Sequence, residues 1–343
     1  MAKWYEQKET DNGIVISSRV RLARNVKQYP FSIRLDDDKA VELIEKVRKA
    51  IQNDRTPLGE QFQFIEVDRL DKSHKLELME KHIISPVLVE KKQPCGVLVM
   101  DDETVSIMVN EEDHIRIQTV YPGENIDEAW DMADKIDNLI EETVEYAYDE
   151  TLGYLTSCPT NVGTGLRASY MMHLPGLEKT GQIRNVIQAI NKFGVTVRGI
   201  YGEGTEAMGS IYQISNQITL GKSEEDIIDN LKKVVNIVME QEKRMRERML
   251  KERKDDFEDK IYRSYGILAN ARKITAKEAM EYLSNIREGY ILNVLDMPKP
   301  KRSIYNIMMN IQPGSIQSMF DETLAPEKRD HIRAKYIREQ LMN

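Results

Sequence analysis

The chain has 343 residues, 41% hydrophobic and 31% charged, with a formal net charge of −8. That length allows one large domain with an appendage or two domains of ordinary globular composition, and the acidic balance disfavours general nucleic-acid binding, so an anionic ligand would need a local cluster of positive charge. There is no apolar run of membrane-spanning length and no signal-peptide pattern, and the two cysteines, Cys95 and Cys158, form no C-x-x-C pair, which argues against a zinc site, a disulfide framework or a membrane partner and for a reducing, cytoplasmic setting.

Residues 14–22 begin with an extended apolar run. Residues 38–51 place Val41, Ile44, Val47 and Ile51 at helical spacing behind the possible caps Asp36 and Asp37. Residues 96–109 read as strand, acidic turn, strand, and residues 115–120 alternate apolar and polar, so the acidic triplet Glu111-Glu112-Asp113 falls between two expected strands. A long helix is expected over 127–148, with Trp130, Ile136, Leu139, Ile140 and Val144 on one side, and a second over 180–193. Residues 195–201 and 210–215 are strand-like.

The texture then changes. From Ser223, which with Asp226 resembles a capping box, to about residue 264 the chain is helical and highly charged. Thr275 with Glu278 starts another helix that Gly289 can end, and Pro326 suits the first turn of a last helix over 327–342. The mixture implies an α+β fold with a largely antiparallel sheet, read as a domain over 1–235 followed by an all-helical domain over 236–343.

Several arginines sit beside glycine, serine or acid: Arg19 and Arg21, Arg116, Arg167 in N-V-G-T-G-L-R, and Arg198. Strand alternation puts Arg19 and Arg21 on one side. Gly163 and Gly165 permit a tight loop that would bring backbone N–H groups to a ligand. Arginine presents a fixed fork of donors that matches phosphate oxygens. Singly, each is an ordinary surface residue; together, in an acidic protein, they point to a polyphosphate site. The sequence has no G-x-x-x-x-G-K-[ST], no H-R-D and no D-F-G, which excludes a P-loop protein and the common protein-kinase fold, and N-V-G-T-G is not a dinucleotide fingerprint. Glu112 and Glu203 could grip a planar guanidinium from two sides, if they are not simply turn acids. With a pKa above about 12, a guanidinium attacks only after losing a proton, which a carboxylate held against it can accept.

S-S-R-V-R-L-A-R, N-E-E-D-H-I-R, S-C-P-T-N-V-G-T-G-L-R-A-S and R-G-I-Y-G-E-G-T-E, in this order, resemble the guanidino kinase (phosphagen kinase) family over roughly residues 14–235. The resemblance implies an antiparallel sheet flanked by helices and transfer of the γ-phosphoryl of ATP, with Mg²⁺, to a guanidino nitrogen. It implies nucleotide contacts at Ser17, Ser18, Arg19, Val20, Arg21, His82, Arg116, Arg167, Ala168, Ser169, Arg198, Gly199 and Gly202. Glu112 and Glu203 match the guanidinium-binding carboxylates, and Cys158 the cysteine beside the substrate guanidine. Ile218 stands where creatine kinases carry an aspartate, which puts one nucleotide contact in doubt.

Only sixteen residues precede Ser17, so the small helical lid of phosphagen kinases is not expected, and the chain instead continues past the catalytic region with helices. Both features resemble the bacterial McsB-type protein arginine kinases, whose acceptor is an arginine side chain on a protein. R-D-H-I-R-A (329–334) resembles that family's phosphoarginine-binding motif, implicating Arg329, Asp330, Arg333 and Ala334; on pattern alone it is a solvated charged face. The resemblance further implies a homodimer, a heat-shock repressor as substrate, an activator protein, the ClpCP protease and a role in stress response. Two other readings stay open: a kinase for free arginine or another small guanidino compound, and a non-catalytic phosphoarginine-binding adaptor.

Overall fold

The computed structural model describes residues 2–6, 13–52, 58–201 and 207–342. Its elements run in the order β1 (Val15–Arg24), α1 (Asp37–Ile51), β2 (Phe62–Glu66), α2 (Lys72–Glu80), α3 (Pro86–Glu90), β3 (Gly96–Met100), β4 (Val105–Val109), β5 (Ile115–Pro122), α4 (Ile126–Glu141), β6 (Tyr148–Asp149), β7 (Gly153–Tyr154), β8 (Leu166–His173), α5 (Pro175–Lys179), α6 (Ile183–Asn191), β9 (Val195–Tyr201) and β10 (Ala207–Asn216). Helices follow: α7 (Glu224–Glu252), α8 (Lys254–Asn270), α9 (Ala276–Ile291), α10 (Ile304–Asn310), α11 (Pro313–Gln317) and α12 (Pro326–Met342). Eight strands are ordered β2-β3-β4-β5-β1-β8-β10-β9, and β6 pairs with β7 apart from them. By contacts the chain divides into two units, the first comprising Met1–Trp4, Ser17–Ser169 and Ser215–Leu231, the second the remainder.

In the first unit, β1 pairs antiparallel with β5, β5 with β4 and β4 with β3. Val20, Leu22 and Arg24 point to the face that α4 covers: Thr119, opposite Val20, donates to the Ala129 carbonyl at 2.7 Å, and the buried Arg24 reaches Asp137 at 2.6 Å. On the other face, α2 and α3 cover only the β3–β4 part. Ile83, Ile84, Leu88, Leu78 and Met79 pack there on Val97, Val99 and Met108. Cys95 lies in this cluster, where burial pushes its thiol up to about 11. The rest of that face, across β5, β1 and β8, carries the arginines.

Asp36 caps α1 through the Lys39 N–H as expected, but Val41 is 51% exposed while Ala40 and Leu43 fill the interior instead. α4 stops at Glu141, not near 148, because the chain is drawn off to pair with the end of β1, where Val26 bridges Tyr146 and Ala147 N–H meets the Asn25 carbonyl at 2.7 Å. Tertiary pairing there overrides helical periodicity.

In the second unit, Thr275 and Glu278 form the complete capping box. Gly289 does not end α9, which continues to Ile291; a Cβ there would lie 2.6 Å from Ile261 Cγ2, so glycine is needed for the close approach of α8. Residue 235 lies inside α7, and the helical path breaks only at Arg253 (φ −142°, ψ 46°). Buried charges here are paired: Glu242 accepts from the N–H groups of Gly176 and Leu177 at the start of α5 (2.9 and 2.8 Å) and from Arg246 Nε at 2.6 Å, and Lys179 meets Glu288 at 2.6 Å.

Candidate active site

Register explains why three distant arginines share a surface. Arg19 lies opposite Val120, Arg21 opposite Gln118 and Ala23 opposite Arg116, and directly paired residues of an antiparallel ladder project to the same face. Arg167 on β8 donates to the Asn216 carbonyl at 2.7 Å and to Asn161 Oδ1 at 3.3 Å. The four guanidinium groups feel one another: burial first, then Arg19, Arg116 and Arg167, press the Arg21 guanidinium well below its ordinary value against the opposing pull of Glu111. His82 stands at the rim, just past α2 in a left-handed conformation (φ 62°), its carbonyl accepting from Gln118 Nε2 at 2.6 Å. Burial and the charges of Arg19 and Arg21 lower its pKa to about 3, so it is neutral at physiological pH.

The acidic triplet separates into three fates. Glu111 is fully buried; it accepts from Ser85 Oγ (2.5 Å), from Arg116 Nη1 (2.7 Å) and from the Glu112 N–H (2.7 Å). Glu112 is 42% exposed and reaches Arg116 Nη2 at 3.3 Å. Asp113 is buried and turns the other way, accepting from Asn25 Nδ2 and from the Ser157 N–H. His114 locks the loop to the end of β1: its Nδ1 accepts from the Val26 N–H at 3.0 Å, which leaves Nε2–H to donate to the Pro30 carbonyl at 3.0 Å. One half-exposed carboxylate thus stands at the rim of the arginine face, between two that are immobilised.

The 155–165 loop carries Cys158, half-buried, with Sγ 3.1 Å from Thr160 Oγ1. The expectation that Gly163 and Gly165 offer their N–H groups to a ligand is not met. The Gly163 N–H goes to Tyr154, that of Thr164 to Thr219 and that of Gly165 to Asn161. Both glycines have positive φ (112° and 66°), and a Cβ would fall 2.4 Å from the Thr219 carbonyl oxygen or 2.6 Å from that of Ala23. They let backbones pack against each other, and the N–H groups of Gly163, Thr164 and Gly165 are taken up within the fold.

Residues 42–245 match the ATP:guanido phosphotransferase C-terminal catalytic domain, and residues 254–343 match the protein-arginine kinase McsB C-terminal domain. The chain belongs to the ATP:guanido phosphotransferase family. Members at high similarity include a protein-arginine kinase of Caldanaerobacter subterraneus, 49% identical over 96% of this chain and 98% of that one, and one of Brevibacillus brevis, 46% identical over 99% and 95%. Among solved structures, a lombricine kinase superposes with a TM-score of 0.60 at 25% identity over 68% of each chain. A duplicated taurocyamine kinase from Schistosoma mansoni gives 0.58 at 25% identity over 70% of this chain, which spans about a third (35%) of that longer one.

The nucleotide contacts that the family resemblance implies fall into distinct settings. The Arg19, Arg21, Arg116, Arg167 and His82 side chains gather on one face. Ser17 shares that side of β1 but is buried, as are Ala168 and Ser169. Ser18 donates to the Gly123 carbonyl at 2.7 Å, and Val20 lies on the α4-covered face, so neither side chain faces the arginines. Ala168 offers its N–H to Asn216 Oδ1 at 2.8 Å. Arg198 is exposed and Gly199 half-buried on β9 in the second unit, and Gly202 and Glu203 lie outside the described residues. Ile218 is 46% exposed, and its carbonyl accepts from Asn216 Nδ2 at 3.2 Å.

In the second unit, Arg333 is buried as a brace. Its Nε donates to the Ile311 carbonyl (2.8 Å), and Nη1 to that of Ile274 (3.0 Å) and to Asp330 (2.5 Å). Ala334 is buried beside it, whereas Arg329 is half-buried with Nη1 on the Leu324 carbonyl at 2.9 Å. The (i, i+4) arginines therefore do not present a matched pair to solvent. Asn25, His114, Asn216 and the Arg24–Asp137 pair, none of them singled out by the sequence patterns, are all buried and all fix the loops; N-E-E-D-H holds Glu111, Asp113 and His114 in plain view, but only register separates their roles.

Proposed function

We propose that this chain is a protein arginine kinase that transfers the γ-phosphoryl of Mg-ATP to the guanidino group of arginine residues in proteins. The observation that carries the reading is the four-arginine face with the half-exposed Glu112 at its rim. Arg19, Arg21, Arg116 and Arg167 hold the triphosphate, and Mg²⁺ arrives with the nucleotide, bound chiefly by phosphates and water. Phosphate oxygens compete with Glu112 for Arg116, which frees Glu112 to pair with an incoming guanidinium. Glu112, with Glu203, orients one guanidino nitrogen in line with the γ-phosphorus. The N–P bond forms as the bond from phosphorus to the ADP oxygen breaks, and the proton shed by nitrogen passes to a carboxylate. Cys158 lies beside the guanidine. His82, neutral, contacts the nucleotide without adding to the charge.

The protein as acceptor is favoured over a small guanidino compound because the protein-arginine kinases match almost end to end at 46–49% identity and residues 254–343 match the McsB C-terminal domain, whereas the lombricine and taurocyamine kinases are only 22–25% identical. We extend the same proposal to a homodimer, to phosphoarginine binding around Arg329 and Asp330, and to partnership with a heat-shock repressor, an activator protein and ClpCP in a cytoplasmic stress response.

The test is to incubate the chain with Mg-ATP and either an arginine-rich protein or free L-arginine, then to read products by ³¹P NMR and mass spectrometry at neutral pH. Acid-labile phosphate on protein arginines supports the proposal. Phosphate on free arginine alone returns the chain to a small-molecule kinase, and no turnover with any substrate, activator included, leaves an adaptor.

A further inference from the structure

Glu112 is flanked by two buried carboxylates that serve different neighbours. Glu111 faces the arginines. Asp113 faces the cysteine loop: its Oδ1 accepts from Asn25 Nδ2 at 2.7 Å and from the Ser157 N–H at 2.6 Å, while Oδ2 is buried without a hydrogen-bond partner. Asn25 completes the knot. Its Nδ2 also donates to the Leu155 carbonyl at 3.0 Å, and its Oδ1 accepts from the His114 N–H at 2.9 Å. Three segments, the end of β1, the acid loop and the cysteine loop, are thus fastened through one amide and one carboxylate, both buried.

A buried carboxylate with one oxygen left without a hydrogen-bond partner costs the folded state stability, so its retention asks for another benefit. The bonded neighbours supply one. Ser157 precedes Cys158, and Asp113 follows Glu112, so a single hydrogen bond sets how far apart the Cys158 and Glu112 backbones lie.

We infer that Asp113, seconded by Asn25, is a positioning residue for phosphoryl transfer, holding the Cys158 loop against Glu112 so that the acceptor guanidinium is fixed in line. The inference rests on the reading that Glu112 and Cys158 flank the acceptor. A displacement of about 1 Å at a reacting centre costs on the order of 10²-fold in rate.

The experiment compares Asp113→Ala, Asp113→Asn, Asn25→Ala and Glu112→Ala in the full chain. It measures kcat and KM on a protein substrate, nucleotide affinity by calorimetry with Mg-ATP, and thermal melting. Asp113→Ala and Asn25→Ala are expected to lower kcat by roughly 10²-fold and raise the acceptor KM, with nucleotide affinity unchanged, because no arginine of the cluster hangs from Asp113. Asp113→Asn keeps an oxygen that accepts both bonds and retains most of kcat. Wild-type kcat in Asp113→Ala overturns the inference. So does equal loss in Asp113→Asn, which would mean charge and not geometry matters, or parallel loss of nucleotide binding, which would mean general collapse. If Asp113→Ala does not fold, Asn25→Ala and Asp113→Asn are judged by the same criteria. Full activity in Glu112→Ala instead sinks the underlying reading, and the two failures are told apart by which variant stays active.

Discussion

On the open face of the first unit, burial first and then the charges of Arg19, Arg116 and Arg167 press the Arg21 guanidinium below its ordinary value. In the second unit, Arg246 and Arg333 are buried, and their guanidinium groups end on oxygen: Arg246 on Glu242 and the His173 carbonyl, Arg333 on Asp330 and two carbonyls. Arg116 and Arg167 on the face also end on oxygen, on Glu111, Glu112, Asn216 and Asn161, and the contrast is sharpest at Arg21, whose Nε is buried without a hydrogen-bond partner. Buried guanidinium is admitted where fixed acceptors compensate its desolvation. On the face, like charges are held together at a cost to the folded state that a polyanion would remove. β1 repeats the contrast within one strand. Burial alone would lower Arg24, but Asp137, Tyr154 and Tyr146 outweigh it and raise its pKa, while Arg21, on the opposite face, is lowered.

The comparison can be broken most decisively at Glu112. Replacing it with alanine should cut kcat by about 10²–10⁴-fold while the melting temperature holds, because the side chain is half-exposed and its 3.3 Å reach to Arg116 is a partly solvated pair that adds little to the fold; steady-state kinetics and a melt decide. Next in size, Glu242→Ala strips a buried acceptor from Arg246 and from the start of α5. It should destabilise by about 3–5 kcal/mol, read as a lower denaturant midpoint, and an unchanged midpoint would mean that the second unit's pairs are not structural.

Arg21→Ala should do the reverse of Glu242→Ala. Nucleotide affinity should fall by roughly 10–100-fold, about 1.5–3 kcal/mol for a hydrogen bond to a charged group, with stability equal or slightly raised as repulsion is relieved. A clear loss of stability would show that the arginine face is held for the fold.

The smallest effect is at His82. Its pKa of about 3 lies below the unfolded value near 6.5, so between those limits the unfolded chain binds more protons. Its contribution to stability is therefore present above about pH 6.5 and is lost as pH falls toward 3. NMR titration should find the imidazole neutral at pH 5, and Mg-ATP should move its pKa upward by screening Arg19 and Arg21. A free-protein pKa near 6.5 would place His82 away from the cluster.

Much of the site is legible in the amino-acid order alone. Period-two alternation puts Arg19 and Arg21 on one face whatever else happens, and the spacing of Thr275 and Glu278 dictates a capping box that forms as written. Four ordered motifs also carry the family. Local chemistry decides these features, and local chemistry is what a sequence records. Other assignments depend on which segments meet. Glu111, Glu112 and Asp113 are indistinguishable as text; the β1–β5 register gives the first to Arg116, leaves the second at the rim and sends the third to Asn25. Gly163 and Gly165 read equally well as an anion-binding loop or as a backbone crossing, and the carbonyls of Thr219 and Ala23, far away in sequence, settle it. Arg329 and Arg333 share a helix face by spacing, yet one is drawn inward because the carbonyls of Ile274 and Ile311 converge there. Where burial and a distant partner set the free energy of a charge, the tertiary structure alone decides whether that charge holds the fold or waits for a ligand.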